Sequence, residues 1–259
     1  MFEWLTGKSK RAASETGGDD NVHAPTASAD SLGDALARMH AARDSLWSEV
    51  GDVDPYVAAP MINPAFLGGP AWPGLRQAFV RVTRSDGVGI VTSSGLADPY
   101  DDGGPLVGLG CEVYLASPLF ATTEVADLSA FWQFNTVYAI AQNVAGAGWQ
   151  LGVQLERYGA LSMEIPGADA PEGWLSDDGA LGVLLGVSLP GVPSSVSVPA
   201  GEVSIVGAVP LRADELAYVI AEGGAGRVRV ADALRSLPAA QLASPERPSV
   251  VQGRPITPG

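Results

Sequence analysis

The sequence predicts an α+β domain: a mixed or antiparallel sheet with flanking helices, in a single domain with flexible termini. Three observations carry this. Apolar segments of period two come in groups, and the segments of helical period are set apart from them, which is the α+β pattern rather than strict βαβ alternation. The chain has 259 residues, 46% of them hydrophobic and 17% charged, enough to bury a core. Both ends differ from the middle, being rich in small polar residues or in proline.

Residues 1–30 are read as a flexible segment, because after the apolar start they offer almost nothing to bury. Asp30 or Ser31 can cap a helix running to about Val50, with Leu32, Leu36, Met39, Leu46 and Val50 on one stripe. Residues 51–75 hold five prolines and four glycines and predict an irregular wrap, pinned by Phe66 and Trp72. Residues 77–82 and 88–92 read as strands joined by a hairpin at Ser85-Asp86-Gly87. Residues 106–116 read as a buried strand, with Cys111, Val113 and Leu115 on one face and Glu112 and Tyr114 on the other.

A second helix is expected over 124–145, then strands at 149–155 and 160–165 paired with each other. Further strands follow at 181–189, 196–198 and 203–209. A helix from Asp214 should stop at Gly223, Gly224 and Gly226, before a short strand at 228–230 and a last turn at 231–237. From Pro238 onward, five prolines predict a disordered tail over 238–259. The domain proper is therefore 31–237, with helix and wrap in 31–75 and the sheet in 76–237.

The net charge is −14, and it is not spread evenly. Residues 85–211 hold 14 acidic residues and one basic residue, Arg157. Nothing would neutralise phosphates along a groove, so nucleic acid is excluded as a partner, and so is docking of the body on an anionic membrane. No apolar run of about 18 residues exists, so no transmembrane segment is expected. Phe2, Trp4 and Leu5, followed by Lys8, Lys10 and Arg11, leave room for a weak N-terminal membrane contact. The single cysteine cannot form an internal disulfide and does not suggest secretion; a cytoplasmic location is the expectation.

Catalytic chemistry is sparse. His23 lies in the flexible segment, and His40 stands on the first helix with no obvious partner, so neither a Ser-His-Asp nor a Cys-His site is expected. Cys111 reads as a small packed hydrophobe. Zinc-ligand spacing, a phosphate loop and a third glycine after Gly108-x-Gly110 are all missing. What remains is acid: Asp98, Asp101 and Asp102 in a Pro- and Gly-rich turn, with Glu112 after it. These four are the candidate binding residues. The plain reading is a solvated turn whose carboxylates bond nearby amides. The chemical alternative is a carboxylate-dependent hydrolase or a Ca²⁺-assisted site. No catalytic residue, resident metal or cofactor is assigned.

Two segments carry a family resemblance. Val91-Thr92-Ser93-Ser94-Gly95-Leu96-Ala97-Asp98-Pro99-Tyr100 leads, after a short turn, into Gly108-Leu109-Gly110-Cys111-Glu112-Val113-Tyr114-Leu115. This resembles the suppressor-of-fused-like domain family, in which a strand ends in S-x-G-L-S/A-D/N-P and a glycine pair then opens a strand bearing an inward acid, G-L/F-G-x-E-L/V. Later, Val209-Pro210-Leu211-Arg212-Ala213-Asp214-Glu215-Leu216 is similar to the family's P-L-T/R-x-x-E-L opening of a helix. The resemblance covers 76–237. It implies a non-enzymatic protein-binding scaffold; animal members sequester a transcription factor, and many bacterial members look like immunity proteins for polymorphic toxins.

The functional expectation is thus a bacterial, cytoplasmic protein-binding domain, an immunity- or antitoxin-like inhibitor of a basic protein partner. Opposite charge speeds such an encounter. The alternatives are the carboxylate-dependent hydrolase and a structural or envelope-associated protein anchored by its N-terminal apolar residues.

Overall fold

A computed structural model of the chain describes residues 29–100, 106–148 and 151–251. Its centre is one mixed sheet in the order β1-β2-β3-β4-β8-β6-β5, with β7 paired to β8 beside this path. The strands are β1 (Asp52–Ala58), β2 (Ala78–Thr83), β3 (Gly89–Ser94), β4 (Cys111–Ser117), β5 (Leu161–Pro166), β6 (Ala180–Leu185), β7 (Ser195–Val198) and β8 (Gly201–Pro210). Only β4 and β8 run parallel; all other neighbours are antiparallel. The helices are α1 (Ala29–Val50), α2 (Pro118–Thr122), α3 (Trp132–Ala147), α4 (Leu151–Tyr158) and α5 (Ala213–Ser236). This is the α+β mixed sheet that the sequence predicts.

Period two decides which helix each strand meets. Cys111, Val113 and Leu115 of β4 face α3, through Val137, Ile140 and Val144. Tyr114 and Ala116 face the other way, to Met39, Leu46 and Trp47 of α1. Farther along, Leu184 of β6 and Val209 of β8 meet Leu216, Val219 and Leu234 of α5. The sheet thus carries α3 on one face and α1 with α5 on the other. Cys111 is fully buried, as a small hydrophobe should be, and burial pushes its thiol pKa well up. Burial likewise moves the Tyr114 hydroxyl up to about 12, while that hydroxyl accepts the Leu189 N–H at 2.7 Å.

Several expectations are corrected. The wrap over 51–75 contains β1, an edge strand whose outer side tolerates Pro55. Within the wrap Trp72 is buried, but Phe66 is exposed and pins nothing. The strand expected from 106 starts only at Cys111, because Gly108 and Gly110 have positive φ and form a turn. The helix expected from 124 begins as a 3₁₀ turn (Val125–Ala130), and α3 starts at Trp132.

Residues 151–158 are helical, not a strand, and β5 pairs with β6 instead. In so short a segment alternation and helical spacing overlap, and the i, i+4 pair Leu151 and Leu155 packs against the α3-side core. The glycines at 223–226 kink α5 at Gly223 without ending it, since Val230, Ala231 and Leu234 continue its buried stripe; no strand forms at 228–230.

The C-terminal segment departs most from expectation. Residues 238–251 form no helix or strand, in keeping with their prolines, yet Ala240, Leu242, Ala243, Val250 and Val251 are buried. The Ala243 N–H reaches the Ala116 carbonyl of β4 at 2.8 Å. This stretch packs on the body and is no free tail. The rest of the expected tail and the apolar N-terminal residues lie outside the described residues, as do His23 and Trp149.

Candidate functional site

Two of the carboxylates singled out in the sequence, Asp98 and Glu112, meet at the end of β3 and the start of β4. Glu112 is fully buried and points toward the α1 side of the sheet, opposite Cys111 and Val113. Its Oε1 accepts the backbone N–H groups of Gly95 at 3.0 Å and Ala97 at 3.2 Å. Its Oε2 accepts the Ser93 hydroxyl at 2.5 Å, and Ser93 Oγ accepts the Val113 N–H at 2.9 Å.

The two halves of the family-like motif are therefore one unit: the inward acid ties down the small-residue turn. Gly95 has φ 143°, and a Cβ there would lie 2.0 Å from the Arg76 carbonyl, so the turn admits only glycine. A Cβ at Gly108 would lie 2.4 Å from the Asp98 carbonyl, which places the second glycine directly on the same turn.

Asp98 is 1% exposed and closes that turn. Arg43 of α1 bridges the two acids, with Nη1 donating to Glu112 Oε1 and Nη2 to Asp98 Oδ1. His40 Nε2 lies 3.1 Å from Asp98 Oδ1, and Arg76 Nη1 lies within 3.2 Å of both imidazole nitrogens. Burial opposes ionisation of Asp98, but the His40 hydrogen bond and the Arg43 charge outweigh it, so its carboxyl sits below the ordinary carboxylate range. Burial also opposes the charge on Arg43, and Glu112 and Asp98 outweigh it, holding the guanidinium above its ordinary value.

A depressed carboxyl pKa contributes stability above its unfolded value that is lost as pH falls through the folded value. Asp98→Asn should therefore flatten the acid limb of the stability profile below about pH 4, the ordinary aspartate range. Urea unfolding across pH 3–6 checks this; an unchanged slope would show that Asp98 titrates as a free carboxylate.

Asp98 is thus turned inward and matched, rather than solvated as the plain turn reading expects, and Glu112 is inward as the resemblance implies. His40 has a partner that sequence could not show. Asp101 and Asp102 lie outside the described residues. Among the described residues, no group of three His, Cys, Asp or Glu side chains is arranged to hold a metal ion.

A third buried carboxylate is not among the four candidates, although it stands in the quoted helix-opening motif. Glu215 is fully buried at the start of α5. It accepts the Arg212 N–H at 2.8 Å, which caps the helix, and the Val250 N–H at 2.8 Å. It also receives both terminal nitrogens of Arg247 at 2.7 Å. The Arg212 and Arg247 guanidinium carbons each lie 5.0 Å from the centre of the Trp174 ring. The motif acid thus holds the C-terminal segment to the domain.

The remaining described carboxylates of 85–211 are exposed. Two of them, Glu156 and Glu202, line a cleft of about 600 Å³ at the start of β4 and β8, where Glu202 accepts the Ser195 hydroxyl.

A mixed sheet between helix layers, locked by inward acids in glycine-bounded turns, defines an α+β scaffold whose motif residues are structural. Compared with solved structures, the fold is suppressor-of-fused-like. The chain aligns with the crystal structure of the Sufu–Fu complex at TM-score 0.52 and 17% identity, over 84% of this chain and 92% of that one. It also aligns with Drosophila Suppressor of Fused at TM-score 0.39 and 20% identity, over 63% of this chain and 39% of that chain, well under half its length. No family model and no curated protein matches the sequence. No described helix is long and apolar enough to cross a membrane.

Proposed function

We propose that this chain is a non-enzymatic protein-binding domain, and more narrowly an immunity- or antitoxin-like inhibitor of a basic protein in the cytoplasm. The observation that carries the reading is the fold match to a protein solved in complex with another protein, the Sufu–Fu complex. The internal chemistry supports it. The acids of the family-like motifs are spent on holding turns and termini, which leaves a rigid body with an exposed acidic surface. Glu164, Asp169, Glu172, Asp177 and Asp178 lie on that surface in and after β5. A basic partner would be steered to it by long-range attraction.

The test is affinity capture of the tagged chain from its source cells, followed by reconstitution with each purified candidate. A stoichiometric complex with a basic polypeptide is expected, with an association rate that falls as salt rises. Reversing Glu172, Asp177 and Asp178 to lysine should slow association about tenfold or more at low salt. If no candidate forms a stoichiometric complex, the protein-binding reading fails. If the complex forms at a rate indifferent to salt, the basic-partner reading fails. For the inhibitor role, co-expression of the chain should restore growth to cells poisoned by the partner.

A further inference from the structure

Exposed apolar residues gather elsewhere, along edge strand β1 and the residues after it. A groove of about 740 Å³ runs between β1 with the residues after it and the 3₁₀ turn and α3. Phe79, Val125, Phe134 and Tyr138 line it on the sheet and helix side. Tyr56 and Met61 stand at the lip, 74% and 101% exposed. Exposed large apolar residues continue past the lip through Ile62, Phe66 and Leu67. Concentrated apolar exposure beside a concave apolar floor marks an interaction site rather than ordinary surface.

The charges select the occupant. Asp54 is neutralised by Arg81, whereas Glu124 and Asp127 are exposed and form no ion pair among the described residues. Neither β1, nor the 3₁₀ turn, nor α3 contains a Lys or Arg. Two copies meeting here would set like charges face to face, so a second copy is disfavoured. Strand addition is disfavoured as well, because Pro55 and a register break between Val53 and Val57 interrupt the β1 ladder.

We infer that this groove receives apolar side chains from a segment of the protein partner that also carries Lys or Arg. This rests on the protein-binding reading and deepens it: the exposed carboxylates steer, and the groove docks. The probe is a labelled synthetic peptide of leucine, phenylalanine and lysine, with a second in which glutamate replaces every lysine. The lysine peptide should bind the full chain in anisotropy titrations, and the glutamate peptide at least about tenfold more weakly.

Met61→Asp and, separately, Glu124→Lys should each weaken the lysine peptide about tenfold. Both sites are exposed, so thermal midpoints should stay unchanged and report intact folding. Equal binding of both peptides, or undiminished binding by both variants, overturns the inference. So does a self-associated chain that Met61→Asp turns monomeric, since a second copy would then fill the groove. A reconstituted native partner that binds Met61→Asp as tightly as the parent also overturns the groove while leaving the protein-binding reading intact. Failure to form any native complex would instead remove that reading.

Discussion

Arg43→Met should destabilise the domain by about 3–5 kcal/mol, the cost of breaking a buried ion pair by removing one partner. Arg43 is 4% exposed and is the shared cation of two carboxylates, themselves 1% and 0% exposed. Methionine fills much of the same volume, so the loss is electrostatic rather than a cavity. Glu112 would keep its bonds from Ser93, Gly95 and Ala97, while Asp98 would keep, among the described residues, His40 alone. Without the cation, less opposes burial, and the Asp98 carboxyl pKa rises in the folded state. The folded variant then binds more protons than the folded parent as pH falls, so its deficit against the parent narrows from pH 7 toward 5. Chemical denaturation at both pH values measures this. A deficit under about 1 kcal/mol at pH 7 would mean that water replaces the guanidinium without penalty.

Glu215→Gln should cost a similar amount, about 3–5 kcal/mol, because it leaves Arg247 charged and buried. The change also weakens the cap on α5 and the hold on Val250, so it should loosen residues 238–251 first. Limited proteolysis reads this directly. Chymotrypsin should cut the variant rapidly near Leu242, which is buried in the parent. Combining Glu215→Gln with Arg247→Met should recover part of the stability, since the pair is then removed together. Resistance of the single variant to chymotrypsin would show that apolar burial of Leu242, Val250 and Val251 alone holds the segment.

Both sites show how far local pattern can be read. The alternation at Cys111, Val113 and Leu115 against Glu112 and Tyr114 was legible, because strand geometry assigns faces without reference to the rest of the chain. Arg43 was hidden in plain view. It stands between Met39 and Leu46–Trp47 on the buried stripe of α1, and a cation in that position signals a buried acid elsewhere. The signal names no partner, since Arg43 and Glu112 are 69 positions apart. The helix at 151–158 and the passage of α5 through Gly223 were not legible either, because packing by Leu151 and by Leu234 overrode short-range alternation and glycine content.

By itself, the sequence determined the α+β class, the faces of the central strands and the concentration of acid in residues 85–211. Each depends on local periodicity or composition, which a linear chain displays. The tertiary structure alone decided which acids are spent inside and which face water, that the proline-rich segment packs through Glu215 and Arg247, and that apolar residues gather on the β1 groove. Those outcomes depend on charges and apolar groups brought together across tens of residues, where burial raises the penalty on an unmatched charge and so selects its partner.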